Sequence, residues 1–199
     1  MRAEERRYYD LRAPDYDDWY LGVGRFEDVE RKGWDEELDE LITVLKELPP
    51  ARVLDVACGT GFLTQHLRGE ITGVDQSETM VAIARERCPR AAVLRADGLA
   101  LPFPDGSFDR VFTGHFYGHL RDEDRERFLA EARRVAPELV VVDTAIRPGV
   151  GREEIHERIL DDGSRHAVFK RYFDPQELAG ELGGGRILYA GDWFVVVAA

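Results

Sequence analysis

Five short apolar runs within residues 51–144 constrain the fold of this chain more than any other feature: "ARVLDVAC", "EITGVD", "AAVLRAD", "FDRVFTG" and "ELVVVDT". Each has strand length, and the first is the nearly unbroken kind that is buried on both faces. Helical patterns fall between them. Residues 62–68 read as a short helix closed by Gly69. Ser77 is placed to cap a helix carrying Met80, Val81, Ile83 and Ala84, which ends before Pro89. Residues 122–135 carry Phe128, Leu129, Ala132 and Val135 on one stripe. Strands alternating with helices at this rhythm predict parallel βαβ units, and therefore an α/β, doubly wound sheet.

The flanks extend the pattern. Leu38, Leu41, Ile42, Leu45 and Leu48 recur at helical spacing before Pro49 and Pro50 stop the helix. After the fifth run the character changes. Residues 149–160 read as a helix, "RHAVFKRYF" as extended chain, and "DPQEL" as a helix capped by Asp174 with Pro175 in its first turn. "RILYA" and "WFVVVAA" then read as two strands across a two-residue Gly-Asp turn, so the last strand should run antiparallel to the rest.

With 199 residues the chain suits one domain, which would bury about 70% of its unfolded surface. No apolar run approaches the roughly 20 residues that span a bilayer, and the charged start does not resemble a secretory signal. The two cysteines make no disulfide framework, which favours a reducing cytoplasm. A net charge of −12 argues against a nucleic-acid partner. "RDEDRERF" reads as a solvated helix face with mixed i,i+4 pairs.

"VLDVACGTG" carries the first chemistry. Gly59 and Gly61 permit positive φ and a close backbone approach to a ligand. A helix following them would offer free N–H groups to a carboxylate or a pyrophosphate. A glycine pair alone is equally a plain βα turn, and the dinucleotide fingerprint is incomplete because Phe62, Leu63 and Thr64 follow. Asp75 closes the second run, where an acid is placed to accept two ribose hydroxyls. Asp97, at the tip of the third, is placed to accept from an adenine amine. The nicotinamide fingerprint does not call for that third element.

"VLDVACGTGFLTQHL", "GVDQSETM", "RADGLALPFPDGSFDRVF" and "RVAPELVVVDT" resemble, in order and spacing, the motifs of class I S-adenosylmethionine-dependent methyltransferases. The likeness is to the small-molecule branch of the ubiquinone/menaquinone-biosynthesis type. "YYDLRAPDYDDWY" is similar to the N-terminal helix that covers the cofactor in that branch. The resemblance implies a Rossmann-like, mostly parallel sheet of seven strands, ordered 3-2-1-4-5-7-6 with the seventh antiparallel. It implies one domain over 1–199: an N-terminal cap and first helix (1–48), a cofactor-binding core (51–144), and an acceptor-side segment with a closing hairpin (145–199).

The resemblance also distributes roles. Asp55, Ala57, Gly59 and Gly61 would hold the methionine end of S-adenosyl-L-methionine. Asp75 would take the ribose, with Gln76 and Met80 flanking the adenine. Ala96, Asp97, Gly98 and Leu99 would line the ring. His115 would border the sulfonium and is the candidate catalytic group. Among the N-terminal aromatics, Tyr16 and then Tyr20 are candidates for a lid over the cofactor.

Transfer from a sulfonium is an in-line displacement, so orientation and exclusion of water are the main requirements. A base is needed only if the acceptor must lose a proton. His115, Tyr117 and His119 lie where the fourth strand delivers its loop, and His119 reads as a packed, hydrogen-bonded residue. Arg147, His156, His166, Arg171 and Tyr172 are candidates for an acceptor pocket. Cys58 reads as a small buried residue. No Asn/Asp-Pro-Pro-aromatic motif follows the fourth strand, which counts against methylation of nucleic-acid bases. No zinc-ligand spacing occurs, so no metal is expected. The expected partner is a small-molecule methyl acceptor, with neither nucleic acid nor membrane. An NAD-linked oxidoreductase and a non-catalytic cofactor-binding module are the rival readings. The oligomeric state is not legible.

Overall fold

The computed structural model describes residues 3–160 and 162–199. Five parallel strands, β1 (Ala51–Val56), β2 (Gly69–Asp75), β3 (Ala92–Arg95), β4 (Arg110–Gly114) and β5 (Glu138–Thr144), follow the five apolar runs. The chain ends on β8 (Arg186–Ala190) and β9 (Phe194–Ala198), which complete a seven-stranded sheet of order β3-β2-β1-β4-β5-β9-β8. β9 is antiparallel to both of its neighbours, so it is the reversed strand of the sheet. This is the expected doubly wound architecture.

Strand alternation sends side chains into two apolar layers. Val141, Val195 and Val197 join Phe128 of α5 (Asp122–Val135) and Leu178 of α6 (Pro175–Glu181) on one face. Val140, Val142, Phe194 and Val196 meet Leu41 and Leu45 of α3 (Trp34–Glu47) on the other. Two helix starts follow directly from sequence. Ser77 Oγ accepts the Met80 N–H at 3.1 Å to open α4 (Glu78–Arg87). Asp174 Oδ1 accepts the Gln176 and Glu177 N–H groups at 2.9 and 3.1 Å to open α6.

Four expectations are corrected. Residues 62–68 do not form the expected short helix; only Thr64–His66 coil, as a single 3₁₀ turn. The reason is reach. Ala51 pairs with Gly69 and Val56 with Val74, so the chain must return roughly 17 Å along β1 before β2 can begin. Seven helical residues advance only about 10 Å. The chain therefore makes one tight turn and then extends at Leu67, whose φ is −75° and ψ 153°.

Residues 149–160 are not a helix. They contain β6 (Glu153–Ile159), which pairs antiparallel with β7 (Arg165–Arg171) in a separate two-stranded sheet. Successive β6 residues alternate between exposed and half-buried, which is the period of a strand. The terminal hairpin closes on the Gly191 N–H donating to the Phe194 carbonyl at 2.9 Å, so its two-residue turn is Asp192-Trp193, one position beyond the expected Gly-Asp. Glu37 fixes that turn by accepting the Asp192 and Trp193 N–H groups at 2.8 and 2.9 Å. Finally, α5 is not solvated throughout. Arg125 is 3% exposed and reaches Glu181 at 3.2 Å, and the acid–base pairs found within α5 are spaced i,i+3 rather than i,i+4.

The N-terminal cap consists of α1 (Ala3–Arg12), a 3₁₀ turn at Ala13–Asp15 and α2 (Asp18–Leu21). Polar ties fix it to the carboxyl edge of the sheet. Ser77 Oγ donates to Asp10 at 2.5 Å, Thr60 Oγ1 donates to Asp17 at 2.6 Å, and Arg87 pairs with the same Asp17 carboxylate.

Candidate active site

A cavity of about 800 Å³ lies between this cap, the carboxyl ends of β1 to β4 and the β6–β7 hairpin. That is the volume of a small-molecule site. Two non-glycine residues among those described have left-handed backbone, Ala57 (φ 58°) and His115 (φ 57°). Both lie at the carboxyl ends of adjacent central strands and both line the cavity. Such strain persists where the surroundings impose it, and it clusters at functional sites.

From Ala57 the chain turns through Gly59, whose N–H donates to Asp75 Oδ2 at 3.0 Å. Asp75 Oδ1 accepts the Ser77 N–H at 2.8 Å, so one carboxylate ties the glycine turn to the start of α4. Burial raises the Asp75 carboxyl above its usual range against those backbone donors. Gln76 and Met80 follow it into the cavity wall. At the next strand tip Asp97 Oδ1 accepts the Leu99 N–H at 2.9 Å, and Ala96, Gly98 and Leu99 complete that side. A Cβ at Gly98 would stand 2.7 Å from Val56 Cγ1, so the close packing there admits only glycine.

Asp55 and Tyr20 lie outside this cavity, against a crevice of about 20 Å³ that also touches Tyr16, Ala57 and Gly59. Asp55 Oδ2 accepts from Thr64 Oγ1 at 2.6 Å, while its Oδ1 is buried without a partner. Burial pushes this carboxyl up to about 7. Tyr20 stacks on Phe62 with ring centroids 4.0 Å apart, and its carbonyl accepts from Trp34 Nε1 at 2.8 Å. Gly61 lines neither space; its missing Cβ makes room for Cys88 Sγ, which would be 3.0 Å away. Tyr16 lies over the glycine turn, its Cε1 3.8 Å from where a Gly59 Cβ would stand.

His115 packs edge-on against Trp19 at 4.8 Å, and its Nε2 is buried without a partner. Its Nδ1 is 3.4 Å from Thr144 Oγ1 and 4.0 Å from Asp143 Oδ1. Burial, with help from the Lys170 ammonium, lowers its pKa to about 3, so the ring is neutral at pH 7. His119 also lines the cavity, and its Nδ1 donates to the Phe169 carbonyl at 2.6 Å. Tyr117 is fully buried against Phe173.

Sequence reasoning missed the ion pair beneath these rings. Lys170 Nζ donates to Asp143 Oδ1 at 2.6 Å, and Asp143 also accepts the Gly118 and Thr144 N–H groups at 2.7 and 2.8 Å. Burial alone would raise the Asp143 carboxyl, but Lys170 overcomes it and holds the group below its usual range. This pair ties the hairpin to the end of β5.

Of the five acceptor-pocket candidates only His166 reaches the cavity. Arg147 lies over Trp193, His156 bonds Tyr172, and Arg171 pairs with Glu181. Arg7, Arg121, Arg165 and Phe169 supply the wall instead. No local sequence signal marked them, because they come from three separate elements, α1, the start of α5 and β7, that only the tertiary fold brings together.

Residues 53–138 match a family model described as a methyltransferase domain. A demethylmenaquinone methyltransferase of Thermus thermophilus is 41% identical over 98 residues, covering 45% of this chain and 44% of that protein. A malonyl-[acyl-carrier protein] O-methyltransferase of Halorhodospira halophila is 34% identical over 161 residues, covering 76% and 50%. The solved DhpI–SAH complex aligns over 98% of this chain and 94% of its own, with a TM-score of 0.74 and 25% identity. The chain carries a class I methyltransferase domain.

The methyltransferase domain shares its fold more widely. The PH0226 protein from Pyrococcus horikoshii OT3 aligns over 91% of this chain and 97% of its own at a TM-score of 0.62, with 20% identity. The chain spans about half the length of the curated relatives it matches.

Proposed function

We propose that the domain binds S-adenosyl-L-methionine along the ends of β1, β2 and β3 and transfers its methyl group to a small-molecule acceptor. The acceptor sits between the β6–β7 hairpin and the turn after β4. The observation that carries this reading is the continuity of one cavity from Asp75 and Asp97 to His119 and Phe169. It accommodates a nucleoside at one end and a second small molecule at the other. In this assignment Asp75 accepts from the ribose hydroxyls and Asp97 from the adenine amine. The buried, unpartnered Asp55 Oδ1 faces the cofactor's ammonium across the crevice shared with Gly59. Bound there, the cofactor supplies an activated methyl on a sulfonium.

The chain's own contribution is orientation and exclusion of water. The cap and the hairpin roof the cavity, and the sealed His115 ring shapes its wall as a neutral group. A dinucleotide fits less well, because the helix whose N-terminus would hold a pyrophosphate is reduced to one 3₁₀ turn. The two cysteines are free and buried, which favours work in a reducing cytoplasm. No described helix is long and apolar enough to cross a membrane.

Calorimetry with S-adenosylhomocysteine tests the reading. Saturable binding is expected, and thermal protection by that ligand should exceed protection by NADH. Preference for NADH would replace the reading with an oxidoreductase. Cofactor binding without turnover of any small-molecule pool would leave a binding module.

A further inference from the structure

Three arginines among the described residues are less than a tenth exposed: Arg12, Arg110 and Arg125. Arg110 pairs with Glu138 at 2.7 Å, and Arg125 with Asp122 and Glu181 at 2.5 and 3.2 Å. Arg12, at the end of α1, makes no ion pair with any described residue. Its Nη1 donates to Tyr8 Oη at 2.9 Å, its Nε is buried with no partner, and its guanidinium carbon lies 5.6 Å from the ring centroids of both Tyr16 and Phe26. Carboxylates are not scarce in this chain, which has 39 acidic residues to 27 basic ones. A buried, uncompensated charge is strongly unfavourable unless an anion joins it.

Arg12 stands one layer behind the cavity wall. Tyr8, Tyr9 and Tyr16, around it, all line the cavity. Tyr8 Oη accepts from Arg12, so its own proton is left to donate. No described residue hydrogen-bonds the Tyr16 hydroxyl. Tyr16 also touches the crevice in which Asp55 Oδ1 lies unpartnered. The glycine turn is thus flanked by an unmatched cation on the cap and an unmatched acceptor on the sheet. An amino-acid zwitterion would match both, its carboxylate meeting the cation and its ammonium the acceptor.

We propose that Arg12 is the counter-charge for the α-carboxylate of the cofactor's methionine end, acting through the hydroxyls of Tyr8 and Tyr16 as a positioning residue. The proposal rests on the methyltransferase reading above.

Three probes separate the possibilities: S-adenosylhomocysteine, decarboxylated S-adenosylmethionine (which keeps the amine) and 5′-methylthioadenosine (which lacks both charges). Each is titrated by calorimetry and thermal shift into wild type, Arg12→Met and Tyr8→Phe. Arg12→Met should weaken S-adenosylhomocysteine by about tenfold or more and change the other two by less than about threefold. Its ligand-free melting temperature should match or exceed that of wild type, because an uncompensated buried charge has been removed. Tyr8→Phe, which keeps the packing, should show the same selectivity with a smaller loss. Equal weakening of all three probes, or unchanged S-adenosylhomocysteine affinity in both variants, overturns the proposal. If wild type binds none of the three, the methyltransferase reading itself falls.

Discussion

The floor and the roof of the cavity are held in place differently. The floor is made by the ends of β1, β2 and β3, where backbone N–H groups pin the carboxylates: Gly59 and Ser77 on Asp75, Leu99 on Asp97. The roof is made by α1 and the β6–β7 hairpin, which meet through side chains such as Tyr8 and His166. Side-chain ties hold it to the core at Asp10, Asp17 and Lys170. A floor fixed by backbone hydrogen bonds is formed before any ligand arrives. A roof fixed by side chains can vary in sequence without disturbing the sheet. In the proposed function, the floor then carries generic cofactor recognition and the roof acceptor recognition.

The largest effect should come from a floor residue in the ligand-free protein. Asp55 has its pKa pushed up to about 7 by burial, against 3.8 for a free carboxyl. The folded state thus prefers the protonated acid. Its stabilising contribution is present below the unfolded pKa and is lost as pH rises from about 4 to about 7. Linkage sets the loss on the order of 4 kcal/mol. His115 and His119, lowered to about 3 and 4 by burial, act in the opposite sense over the same window. The informative quantity is therefore the difference between Asp55→Asn and wild type in urea unfolding. The variant should gain relative stability from pH 4 to 7 and hold a constant advantage above that. A pH-independent difference would show that Asp55 ionises normally.

The roof has its own strong tie, and breaking it should come next in size. Lys170→Met leaves Asp143 buried with two backbone donors and no cation. A loss of about 3 kcal/mol in unfolding free energy is expected. Hydrogen exchange should rise along β6 and β7 while β1 and β2 stay protected. A loss below about 1 kcal/mol would mean that the hairpin is held by other contacts.

Legibility follows the same division. The floor could be read because its determinants are local: Gly59 before a helix-spaced segment, Asp75 two residues before the Ser77 cap, and Asp97 beside a glycine. The strand order came with the family resemblance. What failed was set by distance or by tertiary contact. Residues 62–68 carry a helical pattern, but the return path along β1 is too long for a helix. β6, "EEIHERI", has no apolar contrast between its faces because one wall of the hairpin borders a cavity, so its period of two was hidden. Asp143 and Lys170 are 27 residues apart and read separately as a strand residue and an extended one. Arg12 carries no signal in its local sequence. Only its burial, with no carboxylate beside it, distinguishes it.

The smallest predicted effect tests the floor's central carboxylate. If Asp75 accepts from the ribose as proposed, Asp75→Ala should weaken S-adenosylhomocysteine by about 2 kcal/mol, or roughly 30-fold, through loss of charge-assisted hydrogen bonds. Asp75 also pins the Gly59 and Ser77 N–H groups, so the alanine variant loosens the glycine turn as well as deleting a ligand contact. Asp75→Asn separates the two. Its amide oxygen can still accept one backbone N–H, while its amide nitrogen cannot accept from a ribose hydroxyl. If the ribose contact dominates, the asparagine variant should lose most of the affinity that alanine loses and keep wild-type thermal stability. If it binds like wild type, Asp75 serves the turn and not the ribose. Recognition at the floor would then rest on Asp97 and the backbone.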